Sequence, residues 1–284
     1  MIQNEIQIRQ NEELSLKCQF AARHYFNRAE VYNYFIWVFA ILSELTIFLP
    51  VPDDTVFLFI VFILDMLAVV FAYNMGTCLE RGAKMRALFD AYVLNIGYTD
   101  YDELSLKEIK EMIFSVVEHN KKQCQIQISH NGRQNPPGVR DWYEFSHTFP
   151  DEVVQHECQR MNCWWDKKLC RIRLGVYFVV LIIFVALIFL LKDFFLAEGF
   201  FKTFLSSAAL IIRILERLHA NIRYYILSNE IDGALKILNA KKSQEGLIAL
   251  QELINRRREM PVLQMNLIHK LSVAKFSELY EKIS

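Results

Sequence analysis

Four long apolar blocks interrupt an otherwise polar chain. Val31–Leu49 carries one charge, Glu44, and Val56–Met75 carries one, Asp65. Leu174–Leu191 carries none, while Phe194–Ile212 carries Glu198 and Lys202. A hydrocarbon core about 30 Å thick, divided by a helical rise of about 1.5 Å per residue, needs about 20 apolar residues to cross it. Each block is close to that length. The short turns Pro50–Thr55 and Lys192–Asp193 pair the blocks, so the pattern predicts two transmembrane helical hairpins. Two buried hairpins of a soluble protein are the competing reading, and four blocks of spanning length weigh against it.

The polar remainder reads as mostly helical. Ser105-Leu106-Lys107-Glu108 matches a capping box and predicts a helix running to about Asn120. Ser129–Gly138 is polar and rich in Gly and Pro, which predicts a loop or short hairpin. Pro150 followed by Asp151 and Glu152 predicts a helix start, continuing through Trp164, Trp165 and Asp166 into the third span. Beyond the fourth span, Leu218, Ile222, Leu235 and Leu238 continue a helix, and Gln244–Asn255 forms another. Leu263, Leu267 and Leu271 lie four apart on one stripe after Pro261, which predicts a last one.

Composition agrees with the pattern. Apolar residues make up 53% of the 284, with 22 Phe, 12 Tyr and 4 Trp. That exceeds a soluble domain's usual share and excludes disorder or a disulfide scaffold. The 32 basic and 32 acidic residues cancel, so nothing points to a nucleic-acid polymer as partner. Their placement is more informative. Lys and Arg number four before residue 31, fourteen in Gly76–Arg173 and twelve in Arg213–Ser284, against one in the two turns. Positive charge marks the cytoplasmic side. The expected order is a cytoplasmic N-terminal helix (1–30), transmembrane hairpin one (31–75), a cytoplasmic insert (76–173), hairpin two (174–212) and a cytoplasmic helical tail (213–284). The fold class is thus an all-α polytopic membrane protein with both termini inside. The polar first thirty residues show no cleavable secretory signal.

All six cysteines fall on the expected cytoplasmic side, where disulfides are disfavoured. Cys158 and Cys163 are five apart and Cys163 and Cys170 seven apart, near His147 and His156. Zinc sites use tighter pairs, so small buried packing residues are the better reading and no metal is expected. No G-x-S-x-G, H-E-x-x-H, P-loop or G-x-G-x-x-G is present, and the chain is not expected to be an enzyme.

Four segments carry a resemblance. They are Arg9-Gln10-Asn11, Arg140-Asp141-Trp142-Tyr143, Cys158-Gln159-Arg160-Met161-Asn162-Cys163-Trp164-Trp165-Asp166, and Arg256-Arg257-Arg258 followed by Met260-Pro261-Val262. With the two-plus-two spans, they make the chain resemble the SMODS-associated four-transmembrane family of pore-forming effectors from bacterial cyclic-oligonucleotide anti-phage systems. The resemblance covers essentially the whole chain. It implies a multi-pass protein of the bacterial inner membrane, acting as a homo-oligomer. A cyclic oligonucleotide from a partner nucleotidyltransferase would trigger it to permeabilise the membrane and kill the infected cell. No cofactor is implied. A constitutive ion channel or transporter, and a non-conducting anchor that recruits a partner, are the alternatives.

Two sets of residues are candidates for that work. Arg140, Trp142, Tyr143, Arg160 and Asn162 are placed around a ligand pocket, since arginine offers phosphate a planar fork and an aromatic face stacks on a purine. The structural alternative pairs Arg140 or Arg160 with Asp141 or Asp166 and uses the tryptophans as packing. Arg256, Arg257 and Arg258 suit ligand phosphates or anionic headgroups, or simply a solvated helix end. Glu44, Asp65, Glu198 and Lys202 are the intramembrane set. Such groups face protein or water. They either pair with one another, Lys202 with Glu198 or Asp65, or line a conducting path once protomers assemble.

Overall fold

The computed structural model describes residues 5–48, 54–96, 103–143, 151–190, 200–240, 243–263, 271 and 276. The helices are α1 (Glu5–Gln10), α2 (Glu13–Leu45, extended by a 3-10 turn Thr46–Phe48), α3 (Asp54–Val93) and α4 (Glu103–His119), followed by α5 (Lys121–Ser129), α6 (Asp151–Leu190), α7 (Phe200–Ala240) and α8 (Gln244–Arg258). Among the described residues there is no strand, only an isolated bridge between Asn131 and Arg140. The chain is an all-α membrane protein with a helical insert. Three helical stretches are long and apolar enough to cross a bilayer by length and composition: Glu13–Phe48, Asp54–Val93 and Val153–Leu187. They contain the first three predicted blocks almost entirely. The fourth block begins outside the described residues, and α7 carries its second half.

Two compact units divide the chain. One comprises Met1–Asn27, Cys78–Asp166 and Leu227–Met260; the other comprises Arg28–Thr77, Lys167–Ile226 and Pro261–Ser284. Helices α2, α3, α6 and α7 each contribute a segment to either unit. One apolar cluster of the first unit is a leucine seam. Leu227, Ile231, Leu235 and Leu238 of α7 recur every three or four residues and meet Leu247, Leu250 and Ile254 of α8, with Cys163 of α6. Ser243 starts α8 as its N-cap, its hydroxyl accepting the Gly246 N–H at 3.1 Å. A Cβ at Gly246 would sit 2.8 Å from Leu238 Cδ1, so a larger residue there would make the leucine tip shift.

The second unit turns its apolar side chains outward. Phe59, Phe62, Val69, Val70, Phe178, Val179, Ile182 and Ile183 are exposed, an arrangement that fits lipid rather than water. Phe35 and Phe71 stack with centroids 4.9 Å apart, tying α2 to α3.

One expected helix boundary shifts. Helix α4 begins at Glu103, so Ser105 lies within its first turn rather than at its N-cap. The acidic Glu103 supplies the favourable charge at that end. From the expected N-terminal segment α2 runs on into the first apolar block without a break, since no Gly or Pro interrupts Glu13–Leu45. The helix expected from Pro150 into the third span is α6. The last predicted helix, after Pro261, lies mostly outside the described residues.

Candidate functional site

The four segments singled out in the sequence, Pro261 and Val262 apart, converge in the first unit. Gln10 brackets Tyr143: its Oε1 accepts the Tyr143 N–H at 2.8 Å, and its Nε2 donates to the Tyr143 carbonyl at 3.2 Å. Asn11 does the same for Asp141, accepting its N–H at 3.0 Å and donating to its carboxylate at 2.8 Å. Gln7 adds a second donor to that carboxylate at 2.8 Å. Asp141 has φ 49°, a left-handed conformation that Asp tolerates better than most residues. The Arg-Asp-Trp-Tyr segment is therefore a tight irregular loop, held in place by three side-chain amides at the start of the chain.

Arg23 holds the loop that leads into it. Its guanidinium donates to the carbonyls of Pro137 and Gly138, each at 2.8 Å, and to Gln127 Oε1 at 3.1 Å. Gly138 permits this closure, since a Cβ there would lie 1.8 Å from the His130 carbonyl oxygen.

Asp90 of α3, only 1% exposed, is the hub. The Tyr143 hydroxyl donates to its Oδ1 at 2.7 Å, and Arg258 Nη1 lies 2.7 Å from its Oδ2. Asn162 of α6 donates to the Tyr143 hydroxyl oxygen at 3.0 Å. Burial first, and Asp90 beside it second, push the Tyr143 phenol well above its usual range, so it stays a donor. Asp90 in turn pulls the Arg258 guanidinium up against the opposing effect of burial. Next to this hub, Gln159 donates to Gln251 at 2.9 Å, and fully buried Arg257 pairs with Asp166.

One cation stands apart. The Arg86 guanidinium lies 3.9 Å over the Trp142 ring and makes no ion pair among the described residues. Burial depresses it to about 10, with Arg258 adding to the effect and Asp90 opposing it. The charges that reach it are Arg258 and Arg23 on one side and Asp90 on the other, and Asp90 is already engaged with Arg258. The site thus holds an electropositive, aromatic-backed position with donor capacity to spare.

Of the expected ligand residues, the structure brings together Trp142, Tyr143, Asn162, Arg257 and Arg258. It does not bring Arg140, Arg160 or Arg256 to them. Arg140 is exposed and donates to the Ile128 carbonyl at 3.2 Å. Arg160 pairs with Glu157 on its own helix, and Arg256 is exposed on α8. Arg86, Asp90 and Arg23 belong to the site without having been candidates. Arg86 reads in the sequence as one of several basic residues at the inner end of a span, and only the four-residue step to Asp90 hints at a shared face.

In the second unit, Glu44 accepts from the Ser207 hydroxyl at 3.0 Å. Asp65 faces Ser43 of α2 and feels the charge of Arg213. Glu198 and the Lys202 side chain lie outside the described residues. All six cysteines are buried, and none forms a disulfide among the described residues.

An all-helical membrane protein with a buried polar hub built from widely separated segments is the class these observations define. The chain belongs to the SMODS-associating 4TM effector domain family, whose model matches residues 4–278. No curated protein and no solved structure matches it.

Proposed function

We propose that the chain is a non-enzymatic, multi-pass effector of the bacterial inner membrane, with both termini in the cytoplasm. In this reading a cyclic oligonucleotide from a partner nucleotidyltransferase binds the Arg86–Trp142 position. Binding releases a membrane-permeabilising state of the assembled protomers, whose path passes Asp65 and Glu44. The observation that carries the proposal is Arg86 itself. A guanidinium drawn partly out of water costs stability unless paired, so a fold has reason to discard one that makes no ion pair. Here the cation is retained, stacked on tryptophan, with N–H groups suited to a phosphodiester and an indole beside them suited to a base.

Calorimetry on the detergent-solubilised chain with a panel of cyclic oligonucleotides tests this. Arg86→Gln is expected to weaken binding about ten- to a hundredfold, the worth of roughly 1.5–3 kcal/mol for a charge-assisted contact. Its melting temperature should hold or rise, because the uncompensated cation is gone. Trp142→Ala is expected to weaken binding by a similar factor. Binding unchanged in both variants defeats the reading. Dye leakage from liposomes, expected only with the bound nucleotide, separates a triggered pore from a constitutive channel or an anchor.

A further inference from the structure

A second cationic cluster lies in the other unit, on α6 and α7 and beside Pro261 of the fourth segment. Arg173 of α6 is 1% exposed. Its Nε donates to Asn221 Oδ1 of α7 at 3.2 Å, and the Tyr224 ring covers its guanidinium at 5.1 Å. Its Nη2 is buried and has no acceptor among the described residues. Arg217, one turn before Asn221 on α7, spends its donors on the Pro261 carbonyl at 3.2 Å and the Met75 sulfur at 3.1 Å. A thioether is a weak acceptor for a full positive charge. Tyr177, one turn after Arg173, interacts electrostatically with both arginines. Glu216, the acid whose charge reaches Arg217, is engaged by Arg213 at 2.7 Å. Among the described residues neither Arg173 nor Arg217 has a carboxylate partner.

These residues share a level. Met75 ends the second apolar block, Arg173 precedes the third, and Arg217 follows the fourth by one turn. Three sequence-distant span ends therefore meet around two guanidinium groups at what the charge pattern makes the inner membrane boundary. Arginine stays charged at any physiological pH, and a buried N–H without an acceptor costs about 1–3 kcal/mol, more when charged. The missing component is an anion with several acceptor oxygens. At that level of a bilayer the abundant one is lipid phosphate.

We infer that Arg173, Arg217 and the Tyr177 hydroxyl form a binding site for the phosphate of an anionic phospholipid of the inner leaflet. Arg217, partly exposed, meets the headgroup first, and the idle Nη2 of Arg173 completes the contact. The exposed apolar side chains that follow on α6, Phe178 and Val179 among them, run beside the acyl chains. The site is independent of the messenger position at Arg86.

The test uses the full chain in detergent, titrated with phosphatidylglycerol, with phosphatidylcholine, or with cyclic di-AMP as a soluble phosphodiester. Melting temperature and retained lipid by native mass spectrometry are the readouts. Phosphatidylglycerol is expected to stabilise the wild type and to survive as a bound adduct. Arg173→Gln and Arg217→Gln should each weaken this about tenfold, the loss of one charge-assisted contact, and Arg173→Lys by less. Melting in phosphatidylcholine alone should stay near wild type. If Arg173→Gln does not fold, Arg217→Gln decides. Equal loss of stability in both lipids would make the cluster purely structural and overturn the site. Stabilisation by cyclic di-AMP that depends on Arg173 would also overturn it, by assigning the phosphate to a soluble ligand.

Discussion

At Asp90 a single carboxylate gathers donors from two segments of the chain that lie far apart in sequence. It takes the Tyr143 hydroxyl and the Arg258 guanidinium, both at 2.7 Å, in a place from which water is excluded. Asp90→Asn preserves the shape and removes the charge, leaving Arg258 as a buried cation without its anion. Breaking such a pair from one side costs about 3–5 kcal/mol. The melting temperature of Asp90→Asn should fall by several degrees, and adding Arg258→Met should recover part of the loss. A double variant no better than the single one would show that the pair is not the source. Half of this hub was legible in the sequence. Tyr143, Asn162, Arg257 and Arg258 stand out because they lie in recognisable segments. Asp90 and Arg86 do not, because α3 carries them beyond an apolar span with no local pattern to mark them. Arg140 and Arg160 fit phosphate by residue type, but Arg160 meets a closer carboxylate, Glu157, three residues away on its own helix.

At the scale of elements, the loop between α5 and α6 shows why a turn residue matters to a site it does not touch. Its carbonyls at Pro137 and Gly138 are held by Arg23, and the backbone at Gly138 passes so close to His130 that no side chain fits. A Cβ at 1.8 Å from a backbone oxygen cannot be absorbed by a side-chain rotation, so Gly138→Ala must push the loop outward. The Trp142 ring should then lose its register over Arg86. Expected results are a lower melting temperature and nucleotide affinity reduced by at least the Trp142→Ala factor; wild-type affinity would detach the loop from the site. The helices themselves were readable, since their ends coincide with Gly, Pro and polar clusters and their interiors repeat every three or four residues. The interlocking of Gln10 and Asn11 with the Arg-Asp-Trp-Tyr loop was not, because hydrogen bonds between residues 130 apart leave no periodic trace.

For the whole molecule, the spans were legible because a bilayer imposes a length and a composition, whereas partners across helices follow from packing that a linear pattern does not encode. The proposed topology makes a direct prediction: reporters fused at Pro52 should read as periplasmic, and those at Gln134 or Ser284 as cytoplasmic. A cytoplasmic signal at Pro52 removes the arrangement. The conducting path is the more demanding test. From Val56 at about 1.5 Å per residue, Asp65 lies about 14 Å into the bilayer, near its midplane. Its neighbours one turn away on the helix, Val61, Phe62, Ala68 and Val69, are apolar. Across helices it faces Ser43, while Arg213, the described cation whose charge reaches it, is already paired with Glu216. With no strong ion pair to lose, Asp65→Asn should change the melting temperature little. Its effect belongs to the open state, where one carboxylate per protomer around a shared path attracts cations and repels anions. Planar bilayers under a salt gradient, with nucleotide present, should therefore show a reversal potential shifted toward zero, marking reduced preference for cations. A large drop in thermal stability with unchanged selectivity would instead make Asp65 part of the resting bundle's framework, and the path would have to run elsewhere.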